Sequence, residues 1–243
     1  MNQILQIIKN DFKNFKKYYI LQIVLTLSFL FAAISAFFPQ IDPSLFVYIT
    51  VFIIPVITFS ISIFIEHEEK TLLPLALCDC PSIALILGKV LSSLILLLFP
   101  FLLYTLVMVF VLNMTYNILL FLLVYILSAI MHIIVGITLA IISKSTQIMS
   151  MSYIGYIVIF SIMPIFYQEG LIPEFFQYVL IVSPAYLSGV LFQEVVYGYV
   201  FSPNWLLVLA VVLQLAYIGL LSYFVVMPYF KSYLLMSVNK EEK

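Results

Sequence analysis

The chain has 243 residues, 9% of them charged and 65% apolar, with a mean hydropathy of +1.23. A soluble domain carries about 25% charged residues, so water is excluded as the main solvent and the chain reads as one integral membrane domain, 1–243. The net charge of −1 argues against nucleic acid as a partner. All basic residues are Lys and none is Arg, which removes bidentate phosphate chemistry.

Residues 1–17 precede any membrane-length run. Ile4, Ile8, Phe12 and Phe15 share one face of a helix and Lys9, Lys13, Lys16 and Lys17 crowd the rest. A basic helix with one apolar face lies in the membrane interface. The first expected span is 19–38, long enough for a hydrocarbon core of ~30 Å, and its row Ser28, Ala32, Ala36 allows close helix approach. Spans at 45–65, 90–112, 118–142, 148–166 and 205–230 follow, with Pro55 inside the second and Pro100 inside the third. Thr58 and Ser62 sit one turn apart on the second. Trp205 and Tyr229 bracket the last as interfacial anchors. The fold class is therefore all-α with six transmembrane helices.

Two stretches depart from this texture. Residues 66–89 carry Glu66, Glu68, Glu69, Lys70, Asp79 and Lys89 and read as a polar loop. Residues 167–204 hold Glu169, Glu174, Glu194 and several helix breakers, with two apolar runs, 175–182 and 185–196, too short to span. Two re-entrant half-helices that enter the membrane and return fit that pattern. The lysines fix orientation: they occur only in the N-terminal arm, the second and fourth loops and the C-terminal tail. Positive charge marks the cytoplasmic face, so both termini are expected inside.

Several chemistries are missing. Gly88-Lys89 has Ile83 five residues before Gly88 and Val90 after Lys89, so no nucleotide-binding P-loop occurs. The expectation is a chain without catalytic residues, cofactor or metal of its own. Cys78-Asp79-Cys80 lacks zinc or redox spacing and reads as a reducing-side loop. His67-Glu68-Glu69 and His132 invite comparison with the CAAX-protease-like family, but Leu73 stands where its Glu-Glu-x-x-x-Arg motif needs Arg. His132, at mid-membrane, has Ser128 and Gly136 one turn either side. Helix packing with a hydrogen bond across the contact is one reading; contact with substrate or protons is the other.

The order of acidic residues, Lys70-Thr71-Leu72, a Leu-rich turn, Cys80-Pro81-Ser82, then Gly88-Lys89 entering a span, resembles the ATP-binding-cassette (ABC) type-2 permease family. Residues 173–188, PEFFQYVLIVSPAYLS, resemble that family's extracellular segment between its fifth and sixth helices. Lys70 stands where many members have Gly. The resemblance implies a cell-membrane permease subunit, more commonly an exporter of a drug, peptide or lipid-like cargo. It would pair with a second permease half and with separate ATPase subunits that hold ATP and Mg. It implies a coupling helix including Glu66, Glu68, Glu69, Lys70, Thr71, Leu72 and Leu75. A path lined by Thr58, Ser62, Ser152 and Tyr156 follows from it, with an outer gate at Pro173, Ser183 and Pro184. The alternatives are a six-span substrate-binding subunit of a vitamin-uptake system, or a non-transport membrane or immunity protein.

Overall fold

The computed structural model describes residues 2–38, 43–69, 81–143, 145–168, 170–198 and 204–236. All regular structure among them is helical: α1 (Asn2–Lys17), α2 (Ile20–Phe37), α3 (Pro43–Glu68), α4 (Ser82–Leu106), α5 (Ile118–Ile142), α6 (Thr146–Ile157), α7 (Met163–Gln168), α8 (Gln177–Leu180), α9 (Pro184–Tyr197), α10 (Asn204–Leu221) and α11 (Met227–Met236). Three π-helical turns extend the long helices. Val107–Val111 follows α4, Val158–Ile162 joins α6 to α7, and Ser222–Val226 joins α10 to α11. The last two lie just before Pro164 and Pro228. A proline ring clashes with the carbonyl four residues back, and the wider π turn makes room for it. Six helical stretches among the described residues are long and apolar enough to cross a membrane, as the sequence predicts.

Hydrocarbon offers backbone groups no partner, so each span closes its own hydrogen bonds as a helix. Side chains then sort by packing. On α4, Leu87, Leu91, Ile95, Leu98, Leu102 and Leu106 form an outward row. The opposite face buries Lys89, Ser92, Ser93, Leu96 and Tyr104. This inside-out arrangement is what lipid selects, because leucine gains little by hiding from lipid while small residues let backbones approach.

α3 and α5 form the centre, with 72% and 56% of their membrane-length windows buried, against 17% for the α6 and α10 stretches. They meet at Gly136. A Cβ there would lie 3.3 Å from the Val56 carbonyl oxygen, and the Ser60 hydroxyl donates to the Gly136 carbonyl at 3.1 Å. Ser128, His132 and Gly136 are all buried along α5, and the imidazole bonds to the Ser128 carbonyl of its own helix rather than across the contact. In α2 the expected row Ser28 and Ala32 is buried, but Ala36 is half-exposed and Ser35 takes the inner position.

The residues expected as a loop, 66–89, are mostly helix among those described. α3 runs on through Glu68 and α4 begins at Ser82 rather than Val90. The charges Glu66 and Lys89 read as loop residues because isolated charges are costly in an apolar interior; in the structure each is the other's partner.

α1 packs its inner face on α4 and α2, with Ile7 and Phe15 buried and Ile4, Ile8 and Phe12 half-buried. At Gly88 of α4 a Cβ would fall 2.6 Å from Ile7 Cγ2 and 2.9 Å from Ile7 Cβ. Neither atom is the free end of a flexible chain, so α1 itself would have to move. Gly88→Ala is expected to destabilise the chain by about 1–3 kcal/mol. Adding Ile7→Ala should recover part of that loss, the non-additivity expected of residues in contact. Thermal unfolding of the single and double variants in detergent measures both.

Candidate functional site

The helix ends around residues 70–80 converge on one buried ion cluster. Lys89 Nζ donates to Asp11 Oδ1 at 2.5 Å and to Glu66 Oε2. Ser92 Oγ donates to the other Asp11 oxygen at 2.5 Å, and Asn14 Nδ2 donates to Glu66 Oε1 at 2.9 Å. Ser62 Oγ lies 3.3 Å from the same Glu66 oxygen. Asp11, Glu66 and Lys89 are 1%, 0% and 6% exposed, so these are interior charges joining α1, α3 and α4. Burial raises the Asp11 pKa, as does the neighbouring Glu66 carboxylate, while Lys89 pulls it back down.

A second, exposed ion pair sits beside the first. Lys17 pairs with Glu69, and the Tyr18 hydroxyl donates to the same carboxylate at 2.6 Å. Hydrogen bonds from Lys17 and Tyr18 hold the Glu69 carboxyl below its usual range. At the same end, His67 stacks on Tyr233 with ring centroids 4.1 Å apart, bringing α11 to the end of α3. The end of α3 is thus tied to α1 and α11, and the first turns of α4 to α1 through Lys89.

The expected coupling residues divide. Glu66 faces inward and is paired with Lys89. Glu68 is exposed, with His67 Nδ1 at 3.8 Å, and Glu69 is held by α1. Lys70, Thr71, Leu72 and Leu75, like Cys78 and Cys80, lie outside the described residues. Of the expected path residues, Thr58 and Ser62 are buried. The Thr58 hydroxyl donates to the Ile54 carbonyl at 2.5 Å and Ser62 turns to Glu66, so both donors are used within the bundle. Ser152 and Tyr156 on α6 are half-buried, and Tyr156 stacks on Phe52 of α3 with centroids 5.3 Å apart.

Between residues 170 and 198 the chain forms a bent helix pair. Glu174–Leu180 and Pro184–Tyr197 meet at 115°, and α9 packs on α3, α5 and α10. Pro173 is exposed and precedes the first turn. Ser183 makes the bend: its Oγ accepts from Tyr186 N at 3.1 Å, capping α9, with Pro184 next in its first turn. The same hydroxyl donates to the Phe160 carbonyl at 2.8 Å. That carbonyl stands four residues before Pro164, which has no N–H to give it. One side chain therefore caps the half-helix and fills the gap that Pro164 leaves in the fifth span.

Asp11, Asn14 and Ser92 were not singled out by the sequence reading. Asp11 had a signal: it is the lone acid in a basic arm and falls between Ile7 and Phe15 at four-residue spacing, inside the apolar stripe. Gln214 was missed as well. It is fully buried on α10, donating to Ser188 Oγ at 3.1 Å and lying 3.5 Å from the Ser128 hydroxyl.

Six helical stretches long and apolar enough to cross a membrane, together with a bent helix pair, make the described residues those of an all-helical, multi-pass membrane protein. Among the described residues no group of three metal-ligating side chains comes together. The family whose description is ABC-2 type transporter matches residues 2–197, most of the chain, and the chain belongs to it. It is a membrane permease component of an ABC transporter, of a family that partners with ABC ATPase subunits. No curated protein and no solved structure matches it.

Two substitutions probe these geometries. Lys89→Met leaves two buried carboxylates without a counter-ion and is expected to cost about 3–5 kcal/mol. Joint replacement by Asp11→Leu, Glu66→Met and Lys89→Met should cost far less, because an apolar substitute for a whole buried cluster is often neutral. Chemical denaturation in detergent compares them. Ser183→Ala strands the Phe160 carbonyl and is expected to cost about 1–3 kcal/mol, with protease sensitivity rising first in residues 170–198.

Proposed function

We propose that this chain is the membrane half of an ABC exporter, worked from its cytoplasmic side by separate ATPase subunits that carry the ATP and Mg. The observation that carries the reading is the Asp11–Lys89–Glu66 cluster. It fixes α1 to the helices on both sides of residues 70–80, so a push there moves α1, α3 and α4 together. Glu68, Glu69, Lys70, Thr71, Leu72 and Leu75 supply the docking surface for the ATPase; Glu66 holds its base.

Orientation follows from charge. Lys9, Lys13, Lys16 and Lys17 belong to α1 and Lys89 pairs with its Asp11; the preference of positive charge for the inner face supports reading that end as cytoplasmic. The chain is a multi-pass cell-membrane protein with both termini inside. A second permease half, identical or related, covers part of the open surface of α6 and α10. The passage runs along α3 and α6, past Ser152 and Tyr156, and the bent pair α8–α9 closes it outside. A drug, peptide or lipid-like cargo suits walls of this composition.

Co-expression with its ATPase should give a complex that survives purification in detergent, with ATP hydrolysis stimulated over the ATPase alone. Combined Glu68→Ala, Glu69→Ala and Leu72→Ala replacement is expected to lower affinity for the ATPase at least about tenfold, roughly 1.4 kcal/mol, with folding retained. Unchanged capture and unchanged transport by that variant would remove the docking role.

A further inference from the structure

Among the described residues His132 is the one histidine within the membrane-spanning core of the bundle, and half of its hydrogen-bonding capacity is unused. It is fully buried. Nδ1 lies 2.7 Å from the carbonyl oxygen of Ser128, one turn back on α5. A carbonyl can only accept, so Nδ1 carries the proton. No ion pair to His132 occurs among the described residues, and an unpaired imidazolium in an apolar interior is costly, so the ring is neutral. Nε2 is then a bare acceptor. It makes no hydrogen bond, and a buried acceptor left this way costs about 1–3 kcal/mol.

Its surroundings are aromatic. The Phe52 ring stands edge-on to the imidazole, centroids 4.8 Å apart at 86°. Phe52 in turn lies nearly parallel to Tyr156, at 5.3 Å and 21°. Phe52 belongs to the deeply enclosed α3, whereas Tyr156 belongs to α6, among the least enclosed of the spans. Movement of α6 away from α3 would part the two rings and bare both the face of Phe52 and the imidazole behind it. A flat guest could then take the place of the Tyr156 ring. Only a guest with an O–H or N–H would also satisfy Nε2.

We propose that His132 Nε2, with the rings of Phe52 and Tyr156, forms a binding site, closed in this conformation, for a neutral apolar aromatic molecule that carries one hydrogen-bond donor, such as a phenol. This rests on the permease reading above and adds to it a substrate class. A cationic guest is disfavoured because no carboxylate accompanies the imidazole, and a carboxylate guest because Nε2 offers it no proton.

The test uses 2-naphthol and 2-methoxynaphthalene, which share one ring system and differ by the donor. Each is titrated by fluorescence against the full chain in lipid nanodiscs, with empty nanodiscs subtracted. The chain should prefer 2-naphthol about tenfold. His132→Phe should abolish that preference by weakening 2-naphthol alone, while His132→Gln, which keeps an acceptor oxygen, should retain part of it. Tyr156→Ala should change the affinity for both molecules together. Equal affinities in the unmodified chain overturn the site, whether or not any variant folds, and so does a preference that survives in His132→Phe. ATPase capture is measured on the same preparations. Intact capture without a naphthol preference removes this site alone, whereas failed capture by the unmodified chain counts against the transporter reading.

Discussion

A single ammonium group, Lys89 Nζ, sits between the carboxylates of Asp11 and Glu66 with almost no access to solvent. Three charges removed from water cost several kcal/mol each before any attraction is counted, so the cluster is a poor source of stability. Its value lies in specificity. Sliding α1 by one residue along α4 would turn Asp11 out and leave Lys89 with one partner, and sliding α3 would do the same to Glu66. Apolar contacts tolerate such slips, because leucine against leucine has many nearly equal arrangements. The ion cluster has one, and the tight fit of Ile7 against Gly88 marks the same register.

This explains why the crossings could be read from the sequence and the ends of the helices could not. A run of apolar residues in lipid has few options other than helix, so the apolar runs are helices, and the helices on either side of residues 70–80 extend past them into the charged stretch. Those ends, Glu66 and Lys89, were assigned to a loop because a charge ordinarily marks contact with water. That inference fails when charges from different helices neutralise each other, and only Asp11, far away in sequence, completes the set. The arm at 1–17 was legible as an amphipathic helix, but its apolar stripe faces α4 and α2, with an acid placed inside it to meet a lysine. A pattern of one helix does not reveal its partner.

The bent segment was legible for another reason. Ser183-Pro184 is a local signal, a cap followed by a residue suited to the first helical turn, and local signals survive without knowledge of the fold. Its second bond, to the carbonyl that Pro164 leaves without a donor, joins residues of two different elements. Neither serine nor proline alone indicates it. The same holds for Thr58 and Ser62. Their spacing suggested a polar face, yet each hydroxyl is used inside the bundle, the common fate of such residues in membrane helices.

The interior polar groups thus fall into two kinds that differ in what they can do. In the ion cluster every charge has partners, so it can transmit displacement between helices but has nothing to offer a ligand. At mid-bundle most polar atoms are likewise engaged: Ser60 with Gly136, Gln214 with Ser188, and the His132 Nδ1 with Ser128. The far nitrogen of His132 is one of the few that are not, and it stands where the enclosed α3 meets the open α6. A permease that bound cargo strongly in its closed state could not release it, so an acceptor that becomes available only when two helices part is a suitable recognition group. Displacement begins at the saturated cluster, and the unsaturated nitrogen is where such displacement could change affinity.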